Sequence, residues 1–304
     1  MEIKESSKGD TMTNGDKLPV IWLSLATCTG CSVSVLNSTS PTIKNILVDE
    51  VIPGKHLQVR FQPAVMASSG DLALGEINRT VQEKVPFVLV IEGAIPTAQD
   101  GKMAYMGEKN GKPRTQSSWV EEIAPKALAI LALGTCASYG GIAAGAPNPS
   151  GAVGVSKFLK MRGIKTPVIN VPGCPPHPDW FVGTVATVLL GGLPKASDID
   201  ESGRLKAFYG KTIHENCPRR AYFEEGKFAR KFGDPGCLNE LGCKGPVTHA
   251  DCPIRLWNHG TNWCVGSGGC CIGCVEPAFP DLLSPIYVKL NDASIPNVIE
   301  PRKE

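Results

Sequence analysis

The chain has 304 residues, 42% of them hydrophobic, which is enough to bury one large domain and a smaller one. Its formal charge of +2 argues against a nucleic-acid binder held by phosphate electrostatics. No apolar run reaches the roughly 18 residues that cross a bilayer, so no transmembrane segment is expected; the longest, "WFVGTVATVLLGGL", is interrupted by glycine.

Residues 1–18 are polar, with no apolar h-region and no twin-arginine pair, and read as a disordered tail. As written the chain reads as cytoplasmic; removal of a twin-arginine signal would make it periplasmic. Five strand-like apolar runs follow: "VIWLSLA", "HLQVRFQ", "PFVLVIEG", "ALAILALG" and "TPVINVPG". Between them "SGDLALGEINRTVQEK" and "SSWVEEIAPKALA" have helical spacing, and "DWFVGTVATVLLGG" has Asp179 as its expected N-cap and Gly191–Gly192 as its stop. The alternation predicts an α/β doubly wound parallel sheet over residues 19–192. Residues 193–304 lack a strand series, hold eight of the twelve cysteines, and cannot build an ordinary core alone, so they call for a disulfide or metal staple.

Three cysteine groups emerge. Cys28, Cys31, Cys136 and Cys174 each fall just past a strand, where open α/β sheets bind ligands, with Gly30, Gly134 and Gly173 beside them to permit close backbone approach. One close pair plus two isolated thiols suits an iron–sulfur cluster better than the paired knuckles of structural zinc. His214, Cys217, Cys237 and Cys243 form a second set that zinc and iron–sulfur fit equally well; the spacing of His214 and Cys217 places both on one face of a helical turn. Cys252, Cys264, Cys271 and Cys274 form the third, leaving Cys270 as a small packed thiol. Three such sets suggest a conduit for single electrons; a zinc-stapled structural or interaction protein is the alternative.

The motifs "CTGCSVSVLNS", "VIEGAIP", "GTCASYGGI", "VPGCPPHPDW", "HENCP", "GCLNELGCKGP", "ADCP" and "CIGCVEPAFPD" together resemble the small subunit of nickel–iron hydrogenases, most closely the nickel–iron–selenium branch. The resemblance runs from about Pro19 to Pro285. It implies a flavodoxin-like N-terminal domain and an irregular C-terminal domain bearing iron–sulfur clusters. It implies a proximal [4Fe–4S] cluster on Cys28, Cys31, Cys136 and Cys174, and a distal one on His214, Cys217, Cys237 and Cys243. A medial cluster would sit on Cys252, Cys271 and Cys274. Cys264 stands where many members have proline and a [3Fe–4S] centre, so it implies a fourth thiolate and a third [4Fe–4S] cluster. The resemblance places the catalytic Ni–Fe centre on a partner large subunit, so no catalytic residue is expected on this chain. An external ferredoxin or multihaem cytochrome c would exchange electrons beside His214. Thr29 occupies one position where oxygen-tolerant members carry an extra cysteine, which implies ordinary oxygen sensitivity.

Between Arg204 and Lys231 lie eight basic residues (Arg204, Lys206, Lys211, Arg219, Arg220, Lys227, Arg230, Lys231) against three acidic ones (Glu215, Glu224, Glu225). This surplus suggests steering of an acidic carrier such as a ferredoxin.

Overall fold

The computed structural model describes residues 17–42, 44–45 and 56–291. Its strands are β1 (Lys17–Ser24), β2 (His56–Phe61), β3 (Val88–Glu92), a hairpin of β4 (Tyr105–Lys109) and β5 (Lys112–Thr115), then β6 (Ala129–Leu133) and β7 (Val168–Val171). Five of them form one parallel sheet in the order β2-β1-β3-β6-β7, and the hairpin stands apart. Lys17 and Leu18, expected in the tail, are instead the first rungs of β1, paired with His56 and Leu57; the remainder of the expected tail lies outside the described residues.

Every residue of β3 and β6 is buried, as apolar strands covered by helices on both faces require. One face carries Ile21, Leu89, Ile91 and Ile130 against α2 (Gly70–Gln82), α3 (Gln116–Ile123) and α5 (Val155–Met161), helices that supply Ile77, Trp119 and Phe158. The short α1 (Gly30–Leu36) and α4 (Thr135–Tyr139) begin just past the ends of β1 and β6. On the opposite face Trp22, Val90 and Leu133 meet Trp180, Phe181 and Val185 of α6 (Pro178–Gly191).

The cap of α6 differs from expectation. Pro178 takes the first helical position, so the cap moves back to His177, whose Nδ1 accepts the Asp179 amide at 3.1 Å. Gly192, at φ 75°, ends the helix as foreseen.

Beyond residue 193 no further strand occurs among the described residues. Three short helical turns, α7 (Lys206–Tyr209), α8 (Arg220–Glu224) and α9 (Cys252–Arg255), are linked by irregular chain. This half shares the core of the sheet: Leu205, Tyr209, Leu238, Trp263 and Val275 are buried in the same cluster as Trp22 and Trp180.

Candidate functional site

The first four cysteines meet at the carboxyl ends of β1, β6 and β7. The Cys31 thiol is held far above its usual range by burial first, then by Glu92, Cys136, Cys174 and Cys28. Burial followed by Cys136 and Cys28 pushes Cys174 up to about 11. Glycine makes the convergence sterically possible. At Gly134, where φ is 88°, a Cβ would lie 2.4 Å from the Cys31 sulfur, and at Gly173 it would strike the Pro176 backbone at 2.3 Å. At Gly30 a Cβ would lie 3.2 Å from the Cys28 sulfur, although the left-handed residue of that loop is Thr29, at φ 66°.

Two residues that hold this corner were not read from the sequence. Glu92, fully buried at the end of β3, accepts the Trp22 indole, the Thr27 hydroxyl and the amides of Cys31 and Ser32, each at 3.2 Å. The Ser32 hydroxyl also donates to it. Glu92 therefore fixes the loop that carries Cys28 and Cys31. Its only sequence signal was a lone acid closing an apolar strand. Thr135 donates its amide to the Gly173 carbonyl at 3.0 Å, accepts the Gly173 amide at 2.9 Å, and donates its hydroxyl to the Cys274 carbonyl.

The second set surrounds a small cavity lined by His214, Cys217, Cys237 and Cys243 with Arg219 and Pro246. His214 opens a 3-10 turn that runs to Asn216, and Cys217 follows it in extended conformation. The expected shared face is thus supplied by three-residue rather than α-helical periodicity. The His214 ring meets Phe223 edge-on at 4.6 Å. Burial first, then Arg220, pulls its pKa below the usual imidazole value and favours the neutral, metal-ligating form. Cys243 is drawn down to about 6, chiefly by a hydrogen bond with Cys270.

In the third set Cys252 opens α9, and burial followed by Cys274 raises its thiol far above the usual range. Burial pushes Cys274 up to about 12, against the pull of a hydrogen bond from the Cys174 backbone. Cys264 is exposed, yet its sulfur acts on both Cys252 and Cys274. Cys271 is buried, and that burial, then Cys243 across the gap between sets and then Cys274, pushes its thiol well up. Cys270 is 4% exposed and packs with its sulfur 3.5 Å from the Leu241 carbonyl, as a small buried thiol should.

The three sets are therefore strung in the order first, third, second. Thr135 and the Cys174 backbone join the first to Cys274. The Lys244 amide donates to the Cys271 carbonyl at 2.8 Å and joins the third to the residue after Cys243. Thiolate-rich four-donor sets, one of them with an imidazole, and the space that Gly134 leaves beside the Cys31 sulfur fit iron–sulfur clusters.

The basic stretch after residue 203 is weaker than its charge count. Arg204 is 3% exposed and pairs with Asp200 and Glu276, and the Arg219 guanidinium donates to the Gly236 carbonyl at 2.8 Å. Arg220 pairs with Glu224 and Lys227 with Glu225. Lys211, Arg230 and Lys231 remain exposed, and exposed Phe232 follows them, its ring 5.6 Å from Tyr287. No helix among the described residues is long and apolar enough to cross a membrane.

Residues 209–287 match the family described as the C-terminal region of the NiFe/NiFeSe hydrogenase small subunit. Residues 28–188 match the NADH ubiquinone oxidoreductase 20 Kd subunit family. The periplasmic [NiFeSe] hydrogenase small subunit of Desulfomicrobium baculatum is 45% identical over 288 residues, which cover 91% of this chain and 89% of that one. The periplasmic [NiFe] hydrogenase small subunit of Solidesulfovibrio fructosivorans is 40% identical, with 91% and 84% covered. The structure of recombinant [NiFeSe] hydrogenase from Desulfovibrio vulgaris Hildenborough superposes with a TM-score of 0.84 at 46% identity, covering 91% of this chain and 99% of that one.

Proposed function

The chain belongs to the small-subunit family of nickel–iron and nickel–iron–selenium hydrogenases, and on that footing we propose that it conducts electrons between the Ni–Fe centre of a large subunit and an external carrier. It is thus one half of an oxidoreductase heterodimer. Cys28, Cys31, Cys136 and Cys174 are the proximal ligands, Cys252, Cys264, Cys271 and Cys274 the medial ones, and His214, Cys217, Cys237 and Cys243 the distal ones. Three [4Fe–4S] clusters, when bound there, would each take up and release one electron at a time.

The observation that carries this reading is the serial order of the sets. Thr135 ties the first to the third, and the Lys244 amide ties the third to the second. A structural staple has no need of such a chain. Glu92 fixes the Cys28–Cys31 loop through its two amide bonds. The exposure of Cys28 supports a first set that faces the large subunit. At the other end His214, as a neutral ligand, leaves the distal set with one negative charge fewer than four thiolates would give, which favours the reduced state.

The strand order, once the hairpin is set aside, supports a flavodoxin-like domain over 19–192, with 193–304 as the domain carrying the medial and distal sets. Exposed Lys211, Arg230 and Lys231 favour an acidic ferredoxin over a lysine-rich multihaem cytochrome c as carrier.

Iron, acid-labile sulfide and low-temperature EPR on the anaerobically purified, oxidised heterodimer test the proposal. Three cubanes require about twelve irons on this subunit and no [3Fe–4S] signal. Zinc with little iron would overturn it.

A further inference from the structure

Lys244 is 1% exposed, among the most deeply buried large side chains of the protein. Both ends of its backbone are pinned. Its amide donates to the Cys271 carbonyl at 2.8 Å, and its own carbonyl accepts the Val247 amide at 3.1 Å and the Thr248 hydroxyl at 2.6 Å. Among the described residues the hydrogen-bond acceptor of Nζ is the Val288 carbonyl. One carbonyl does not compensate an ammonium with three donors removed from water. Burial lowers the Lys244 pKa, and the ionisable groups that oppose this are all sulfurs: Cys270, Cys243 and Cys271.

Two of those sulfurs belong to different sets, Cys243 to the distal and Cys271 to the medial. We propose that Lys244 is a counter-charge shared by the distal and medial thiolate sets, which stabilises the more negative, reduced state of both and lets an electron pass between them with little difference in energy. It acts through the sulfurs and is a positioning charge, not a catalytic residue. A cation that acts on two anionic centres lowers the energy of an added electron at either one. Burial strengthens that effect by excluding the water that would screen it. The inference rests on the assignment of Cys243 and Cys271 to two separate sets.

The test is a potentiometric EPR titration of the intact heterodimer carrying Lys244→Met, Lys244→Gln or Lys244→Arg, with iron content determined on each. Methionine keeps most of the volume and removes the charge; glutamine also keeps a donor for the Val288 carbonyl. Both neutral variants are expected to lower the reduced-to-oxidised ratio of the distal and medial centres about tenfold at fixed potential, about 59 mV for a one-electron centre. The proximal centre should stay in place, and Lys244→Arg should stay near the wild-type values. Iron-replete neutral variants with unmoved potentials would overturn the counter-charge. If neither neutral variant loads iron, restoration of full iron by Lys244→Arg supports it, and failure of Lys244→Arg as well overturns it in favour of a shape requirement. Iron-poor wild-type heterodimer would instead overturn the assignment of the sets.

Discussion

His177 bridges to Leu256: its Nε2 donates to the Leu256 carbonyl at 2.7 Å while its Nδ1 accepts the Asp179 amide at 3.1 Å. Both ring nitrogens are committed, so the ring is held neutral in one tautomer. The bond ties the chain just after Cys174 to the chain just after Cys252, with Trp257 edge-on to the imidazole at 4.8 Å. Replacing His177 with alanine removes a helix cap and leaves the half-buried Leu256 carbonyl without its partner, at a cost of about 1–3 kcal/mol. Chemical unfolding of the heterodimer should register that loss. His177→Asn should recover the cap alone.

The same ring makes stability depend on pH. Burial, the largest influence, lowers the His177 pKa below the usual value; Asp179 and Asp251 oppose it and Arg255 assists it. The unfolded chain therefore takes up the proton first. Its contribution is complete above the unfolded value of about 6.5 and is lost as pH falls through that value toward the folded one. The stability gap between wild type and His177→Gln should shrink between about pH 8 and about pH 5. A gap that stays constant over that range would contradict the sign.

Arg204 ties Asp200 to Glu276 within the second half of the chain by charge. Its Nε donates to Asp200 at 2.7 Å, and its Nη1 reaches Glu276 at 3.0 Å and the Val275 carbonyl at 3.2 Å. Glu276, 5% exposed, would keep the His249 amide at 2.6 Å in Arg204→Gln but lose the guanidinium, at a cost of about 1.5–3 kcal/mol. Lysine restores the charge but not the fork that serves three acceptors, so Arg204→Lys should recover only part of the loss. Denaturant midpoints of the variants provide the comparison.

The sheet was legible because strands buried on both faces are written as unbroken apolar runs, and because four cysteines fall where such runs stop. The cap at His177 was not, since Asp179 is the better intrinsic cap and only the placement of Pro178 moves the start of the helix. Glu92 and Thr135 escaped because their partners lie far along the chain, at Ser32 and Cys274. Arg204 was misplaced for the same reason: a charge count does not distinguish a solvated cation from one locked against Glu276. The cysteine sets were readable by spacing, but their serial order depends on backbone contacts such as Lys244 to Cys271.

Gly134 offers a steric test of the first set. At φ 88° it sits where an added Cβ would be 2.4 Å from the Cys31 sulfur, so Gly134→Ala combines backbone strain with displacement of a ligand. The heterodimer should lose about four of about twelve irons, with the medial and distal signals kept. Gly163→Ala is the control, because φ is 66° there and nothing lies within 4 Å. It should show strain alone, with full iron.

On the proposed assignment Cys264 decides the medial centre. Its segment is fixed without its sulfur: Trp263 is 6% exposed, and the Gly269 amide donates to the Cys264 carbonyl at 2.9 Å. Cys264→Ala should therefore leave the turn in place and remove a single thiolate from a set whose other members, Cys252, Cys271 and Cys274, are half-buried or buried. A cubane with three protein ligands sheds its uncoordinated corner, so iron should fall by about one and a [3Fe–4S] signal should appear in the oxidised heterodimer. The medial potential should rise at the same time, while the proximal and distal centres keep theirs. Unchanged iron without that signal would place the Cys264 sulfur outside the set, and its exposure would then mark a surface thiol rather than the outermost ligand of the relay.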